Sequence, residues 1–311
     1  MKVAVAGGNT SVGLAIVDGI KARGKYECII LGRRPHAEHD VLVVDYADID
    51  GLVAKLEETQ VNVVISALSM QDDACGQAQL NLIKAANRSK CTKRFLPSEF
   101  GIQYTAERVK NLTGLSFHYK LTAVEALEKT DLEFSLVSCG IYLDYWAASV
   151  IPSHLRFCQP YWLDFGHRLA AIPGDGNAPL VLTHTRDVGR FTAALLELPR
   201  WERRYTIRGD RLTLNEAVRT AEEVMGVKFA VVHESAKKLR EEGATILPGM
   251  GGLLDEATRA VMKLRLAHLG IICLEGCMDL DGSASLNAIF PDDIKPLTVR
   301  DVAEAWKEQL Q

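Results

Sequence analysis

The stretch Gly7-Gly-Asn-Thr-Ser-Val-Gly13 ends the apolar run Val3-Ala-Val-Ala6 and opens a helical pattern. A turn that leaves a first parallel strand and runs straight into a helix aims free backbone N–H groups and the positive end of the helix dipole at one point, and a pyrophosphate binds there. Gly7 and Gly8 permit the tight turn, and Gly13 lets the helix lie close to the sheet. The same glycines can serve only to pack helix on strand. Thr10 stands where a dinucleotide-binding loop has its central glycine, which narrows the approach but adds a hydroxyl donor. At the end of the next strand, Ile30-Leu-Gly-Arg-Arg34 carries two guanidinium groups where an NAD-binding chain has an acid. Forked donors suit the oxygens of a 2′-phosphate, which points to NADP(H).

Other reactive residues carry weaker patterns. Ser98-Glu99 lies outside any Gly-x-Ser-x-Gly elbow, so Ser98 reads as a loop-positioning residue rather than a nucleophile. The eight histidines form no His-Glu-x-x-His pair. His118 can face a substrate or solvent. Cys273 and Cys277 stand four apart with no further ligands at zinc-site spacing, so no metal is expected. The aromatics Tyr142, Tyr145, Trp146, Phe157, Tyr161 and Trp162, with His154, can wall a flat apolar pocket, and core packing explains them equally well.

The elements that position these residues follow from hydrophobic periodicity. Val- and Ile-rich runs at 2–6, 26–31, 41–44, 61–68, 94–97 and 133–138 read as strands, separated by helices over 12–23, 48–58, 72–88 and 116–129. Apolar strands alternating with helices predict an α/β fold with a doubly wound parallel sheet over about residues 1–150, with later strands around 181–208 joining it. Residues 151–311 read as a smaller, mixed α/β, substrate-binding part. Within it, Pro- and Gly-rich loops at 172–179 and 247–252 punctuate strands at 204–208 and 229–233, and Thr213-Leu-Asn-Glu216 is a capping box. A ligand cleft between the two parts is expected.

Lys93-Arg-Phe-Leu-Pro-Ser-Glu-Phe-Gly101 resembles the signature of the isoflavone reductase, pinoresinol–lariciresinol reductase and phenylcoumaran benzylic ether reductase group, which belongs with NmrA-like proteins among the atypical short-chain dehydrogenases. Gly7–Gly13, Arg33, the stretch 137–146 and the stretch 289–298 extend the resemblance over almost the whole chain. It implies a Rossmann-type fold and an NADPH-dependent reductase in which Lys120, on the helix after the signature, is the general acid or base. On the residues alone, a lysine titrating near ~10.4 serves at neutral pH only if burial or a neighbouring positive charge lowers that value. The resemblance implies cofactor contacts from Gly7, Asn9, Thr10, Ser11, Val12, Gly13, Arg33, Arg34, Ser66, Ala67, Phe100, Lys120 and Gly140, and substrate contacts from Ser98, His118, Tyr142, Tyr145 and Trp146. Thr10, Val124 and Gly140 depart from the plant pattern, and no lysine follows Arg33 within about ten residues, which points to a divergent microbial or fungal relative.

A net charge of −4, with no basic stripe, argues against nucleic acid and anionic membranes as partners. Seven scattered cysteines suit reduced core thiols and a cytoplasmic location. No apolar run approaches the ~20 residues of a membrane span. The expected activity is hydride delivery to a hydrophobic phenolic, aromatic or enone metabolite, by a monomer or homodimer. A non-catalytic NADP(H)-binding redox sensor and a redox-neutral enzyme on the same fold are the alternatives.

Overall fold

Val3, Ala4, Val5 and Ala6 are fully buried, and this apolar run forms β1 (Lys2–Ala6) with a parallel partner on either side. A strand covered on both faces must be apolar throughout, which is why no polar alternation marks it. The computed structural model describes residues 1–70, 72–107, 117–147, 149–155, 159–251, 254–280 and 284–310. Around β1 lie β2 (Glu27–Gly32), β3 (Val41–Val43), β4 (Val63–Ser66), β5 (Arg94–Leu96) and β6 (Glu133–Phe134). The sheet is six-stranded in the order β3-β2-β1-β4-β5-β6, and every pairing is parallel. This is the doubly wound parallel sheet that the periodicity predicts, of the Rossmann type that the resemblance implies. Its strand order reverses between β1 and β4, and the C-terminal ends of those strands frame the crevice where ligands of such sheets bind.

The crossover helices are α1 (Ser11–Arg23), α2 (Ile49–Glu58), α3 (Asp73–Arg88) and α4 (His118–Leu127). Asp48 caps α2 by accepting from the Gly51 amide, and Asp72 caps α3 by accepting from the Cys75 amide. The helix expected over 116–129 forms from His118; Ser116 lies outside the described residues. The strand expected over 133–138 is broken at Ser135. Glu133 and Phe134 pair with β5, whereas β7 (Leu136–Ser138) pairs with β12 (Arg204–Thr206). The change of partner interrupts the ladder, and periodicity cannot register it.

The chain forms two compact units. The first contains Met1–Ser138, Thr185–Ile207 and Gly282–Ile294; the second contains Cys139–His184, Arg208–Asp281 and Lys295–Gln311. The sequence expectation drew a boundary near residue 150 with strands around 181–208 joining the first sheet; Thr185–Ile207 does belong to the first unit, but its strand pairs with β7 rather than with the six-stranded sheet. The helix Thr185–Leu195, absent from the sequence expectation, packs on α1 in the first unit. Their backbones nearly touch there: a Cβ on Gly19 would lie 2.4 Å from the Gly189 carbonyl oxygen, and one on Gly189 would lie 2.0 Å from that of Ala15.

In the second unit, β8 (Ile141–Tyr142), β11 (Pro179–Thr183) and β13 (Asp210–Thr213) form one small sheet, and β9 (Leu163–Asp164), β10 (Leu169–Pro173) and β14 (Ala230–Glu234) form another. The Thr213 side chain accepts from the Glu216 amide and Glu216 accepts from the Thr213 amide, so the capping box starts the helix Leu214–Met225 as its sequence requires. The stretch expected as a loop at 247–252 instead contains a short helical turn, Pro248–Gly251, where proline suits the first helical position. Trp146 and Phe165 pack together in the core of this unit, and half-buried Trp306 stacks on Phe165. No helix among the described residues is long and apolar enough to cross a membrane.

Candidate functional site

At the end of β1 the chain turns on Gly7, whose φ of +76° is disfavoured for any residue with a Cβ. A Cβ there would also lie 2.8 Å from the Ala67 carbonyl oxygen, just beyond β4. Gly13 is tighter still, since its Cβ would lie 2.2 Å from the Gly7 carbonyl oxygen and 3.1 Å from Cβ of Ala67. Gly7, Gly13, Ser66 and Ala67 therefore meet at the point where the strand order reverses. Thr10 is the N-cap of α1 in extended backbone, and its side chain makes no capping bond. Ser11 follows at φ +51°, a conformation that L-residues adopt rarely. With neither a side-chain cap nor an acid in its first turn, α1 presents its first amides to whatever binds in front of them.

Arg33 and Arg34 follow β2, and both are exposed. Neither forms an ion pair among the described residues, and no acid takes the position at the strand end. The reach of Arg33 is visible in Asp72. Its carboxyl is held below the usual carboxylate range chiefly by the Cys75 amide, with Arg33 contributing at longer range.

Beyond β5, Ser98, Glu99 and Phe100 form a buried turn. The Ser98 hydroxyl donates to the Leu68 carbonyl oxygen at 2.7 Å, and its amide donates to Oε1 of Gln79 at 2.8 Å. Lys120, in the first turn of α4, is only 6% exposed. Its ammonium donates to the carbonyl oxygens of Ser98 at 2.6 Å and Glu99 at 2.7 Å, and lies 4.3 Å from the ring centroid of Tyr104. A buried cation is costly unless it is hydrogen-bonded, and these contacts hold it at the C-terminal edge of the sheet. Burial also pushes the Glu99 carboxyl up to about 7, against the opposing pull of Lys120 and Arg204.

Residues 37–259 match the NmrA-like family. The chain belongs to that family. Oxidoreductase BOA1 of Botryotinia fuckeliana is 36% identical over 303 residues, covering 94% of this chain and 96% of its own. The leucoanthocyanidin reductase–NADPH complex from Vitis vinifera superposes with a TM-score of 0.74 at 18% identity over 99% of this chain and 100% of that one. AtPrR2 with NADP+ and (+)pinoresinol superposes with a TM-score of 0.75 at 21% identity over 98% of each chain. The NmrA-like chain is thus an oxidoreductase, in keeping with its curated relative, and shares the Rossmann-type fold of these solved structures.

Of the residues singled out in the sequence, this NmrA-like chain gathers Gly7, Gly13, Ser66 and Ala67 at the reversal of strand order, and Ser98 and Lys120 one strand further on. Asn9, Thr10, Ser11 and Val12 line the start of α1. His118 is exposed, with its ring against Tyr119. Gly140, Tyr142, Tyr145 and Trp146 belong to the second unit. There a Cβ on Gly140 would lie 2.1 Å from the Val181 carbonyl oxygen, and Tyr145 stacks on Tyr161. Trp146 is 3% exposed, and its indole N–H donates to the Tyr161 carbonyl oxygen at 2.7 Å, so it is built into the core. Phe157 lies outside the described residues.

Gln79, Glu99 and Tyr104 escape the sequence reading. For Gln79 a signal exists: it shares the buried face of α3 with Gly76, Leu82, Ile83 and Ala86, and an amide on an apolar face marks a polar partner inside. Glu99 carries a consequence for stability. A carboxyl that stays protonated up to about 7 when folded, but ionises at an ordinary value when unfolded, lowers stability as pH rises between those values. Glu99→Gln is therefore expected to stabilise the fold at pH 8 by an amount on the order of 2–3 kcal/mol, and to change it little at pH 4. Urea unfolding at the two pH values checks this, and an equal change at both would contradict it.

Proposed function

We propose that the chain is an NADPH-dependent reductase of small hydrophobic aromatic or enone metabolites, with Lys120 as the acid that supplies the proton balancing the hydride. The observation that carries this reading is the buried ammonium of Lys120, held by two carbonyl oxygens on the turn after β5. A structural lysine has no need to be inside, and a sensor has no need of an internal acid.

The residues present fit the dinucleotide. A Cβ at Gly7 or Gly13 would collide with the backbone that shapes the turn, the first turn of α1 has open amides, and Arg33 and Arg34 stand without an ion pair among the described residues where a 2′-phosphate would lie. When bound, NADPH supplies the hydride. Gly7–Gly13 would hold the pyrophosphate, with Thr10 and Ser11 adding hydroxyls, and Arg33 and Arg34 would hold the 2′-phosphate. Ser66, Ala67 and Phe100 would border the nucleotide along the strand ends. The carbonyl oxygens of Ser98 and Glu99 orient the Lys120 ammonium so that one N–H can be given up at Nζ as negative charge develops on the substrate. Ser98 and His118 would contact the substrate. The aromatic ligand of AtPrR2 supports this substrate class.

Cofactor choice is testable without a substrate. A charge-assisted contact to the 2′-phosphate contributes about 1.5–3 kcal/mol, so NADPH should bind about 10–100-fold more tightly than NADH. Arg33→Asp should reverse that order in a fluorescence titration. Superimposable curves for the two cofactors in the unmutated protein would remove the arginines from this role.

A further inference from the structure

Within the second unit, β14 ends a small sheet whose strand order is β14-β10-β9, and among the described residues no further strand pairs on its outer side. The Ala230 amide donates to the Arg168 carbonyl oxygen, and the Glu234 carbonyl oxygen accepts from the Gly174 amide. The even-numbered residues of β14 therefore turn their backbone groups toward β10. Backbone groups alternate in direction along a strand, so the N–H and C=O of Val231 and His233 point to the open edge. Ala230 to His233 are all exposed, with Val231 at 37% and Val232 at 56%. Such edges are normally blunted by proline, a bulge or a lysine. The strand Ala-Val-Val-His-Glu has none of these, its register with β10 is unbroken, and its one carboxylate, Glu234, is buried and bonded to Lys238 and Thr245. Beside the edge runs an open groove of about 500 Å³, walled by the helix Leu214–Met225 and lined by Val218, Arg219, Glu222, Val231 and His233.

We propose that two copies of the chain pair along this edge, β14 against β14, so that one sheet runs through both. Identical strands that meet about a two-fold axis perpendicular to their sheet run antiparallel, and the axis falls on Val232. Val231 of each copy then exchanges both backbone bonds with His233 of the other, because these are the residues whose groups face the edge. Val232 meets its own copy at the non-hydrogen-bonded position between them, where side chains approach most closely. The most exposed valine of the strand is thereby covered. An unrelated extended peptide would find the same amides, but an identical strand also sets valine on valine in that register. The helix wall suits a copy as well. Glu216, Arg219 and Glu222 alternate in sign along the groove, and the Arg219 side chain is 73% exposed, 3.7 Å from Glu216. The two-fold axis turns this wall end over end, so each arginine meets a wall that carries acids, whereas a wall of one sign would repel its copy.

Analytical ultracentrifugation of the full chain, from low to high micromolar concentration, tests this. A dimer that dissociates on dilution is expected, because a pairing of one short strand and its flanking helix is small. Val232→Lys and Val232→Asp change an exposed side chain, so each variant should keep the melting curve and the NADPH affinity of the unmutated chain. Each should raise the dimer dissociation constant by about tenfold or more, because like charges then stand directly opposite across the axis. Mixed in equal amounts, the two variants should associate again, since a lysine then faces an aspartate. A chain that stays monomeric at every concentration would overturn the proposal and leave the edge to a different strand. So would a dimer that survives both substitutions, which would use another face. A mixture of the variants that stays monomeric would show that Val232 does not lie on the axis, and would overturn the pairing as stated.

Discussion

Lys120→Ala is expected to lower turnover by about 10²–10⁴-fold, the loss typical of a missing general acid, with NADPH affinity nearly unchanged. The separation follows from the geometry. The ammonium is fixed by the carbonyl oxygens of Ser98 and Glu99, whereas the phosphates would lie at Gly7–Gly13 and Arg33. Removing the side chain also leaves two buried carbonyls without their donor, so Lys120→Met, which keeps more of the volume, serves as the companion variant. Both should bind NADPH and fail to turn it over. Steady-state kinetics on one identified substrate decides this. Full turnover in either variant would return Lys120 to a packing role and shift the proton to water or to His118.

Gly13→Ala is expected to have the other large effect, on the cradle itself. The added carbon would lie 2.2 Å from the Gly7 carbonyl oxygen and 2.8 Å from the Gly7 carbonyl carbon, and both are backbone atoms. No rotamer relieves that clash, so the start of α1 must move away from β1. The move should cost about 1–3 kcal/mol or more in stability. It should also misdirect at least two amides that would otherwise meet the pyrophosphate, which lowers affinity by at least about a hundredfold at ~1.5 kcal/mol each. NADH should lose affinity by the same factor as NADPH, because the pyrophosphate is common to both, whereas Arg33→Asp weakens only NADPH. Titrating both cofactors against both variants separates cradle from selectivity. An alanine variant with unaltered binding would show that the turn packs helix on strand and does nothing more.

The sheet was legible because its strands are apolar and its helices carry their own punctuation. Val3–Ala6 and Val63–Ser66 are buried on both faces, and Asp48, Asp72 and Thr213 announce helix starts that the structure places within a residue of the expectation. The interleaving of the two units was legible only in part: a return around 181–208 was expected, its packing on α1 was not. Thr185–Leu195 returns to α1 through a Gly19–Gly189 crossing whose partners are far apart in sequence, and a local pattern carries no record of such a meeting. The turn at Gly7 and the arginines after β2 could be read from residue type alone, because their chemistry is local. The pocket of Lys120 could not, since it depends on Tyr104, Glu99 and Gln79 arriving from separate segments. Trp146 illustrates the ambiguity of aromatics: its type suits a ligand wall, and its indole N–H is satisfied inside the second unit.

The central claim is that this chain moves a hydride from NADPH to a small hydrophobic acceptor. NADPH carrying deuterium at its transferable position, incubated with the protein and a panel of phenolic and enone metabolites, tests it most directly. The account predicts that at least one product gains a single deuterium on carbon, that NADPH and not NADH supports the reaction, and that the signal vanishes with Lys120→Ala. Tight binding of NADPH with no deuterium transferred to any acceptor of the panel would contradict it.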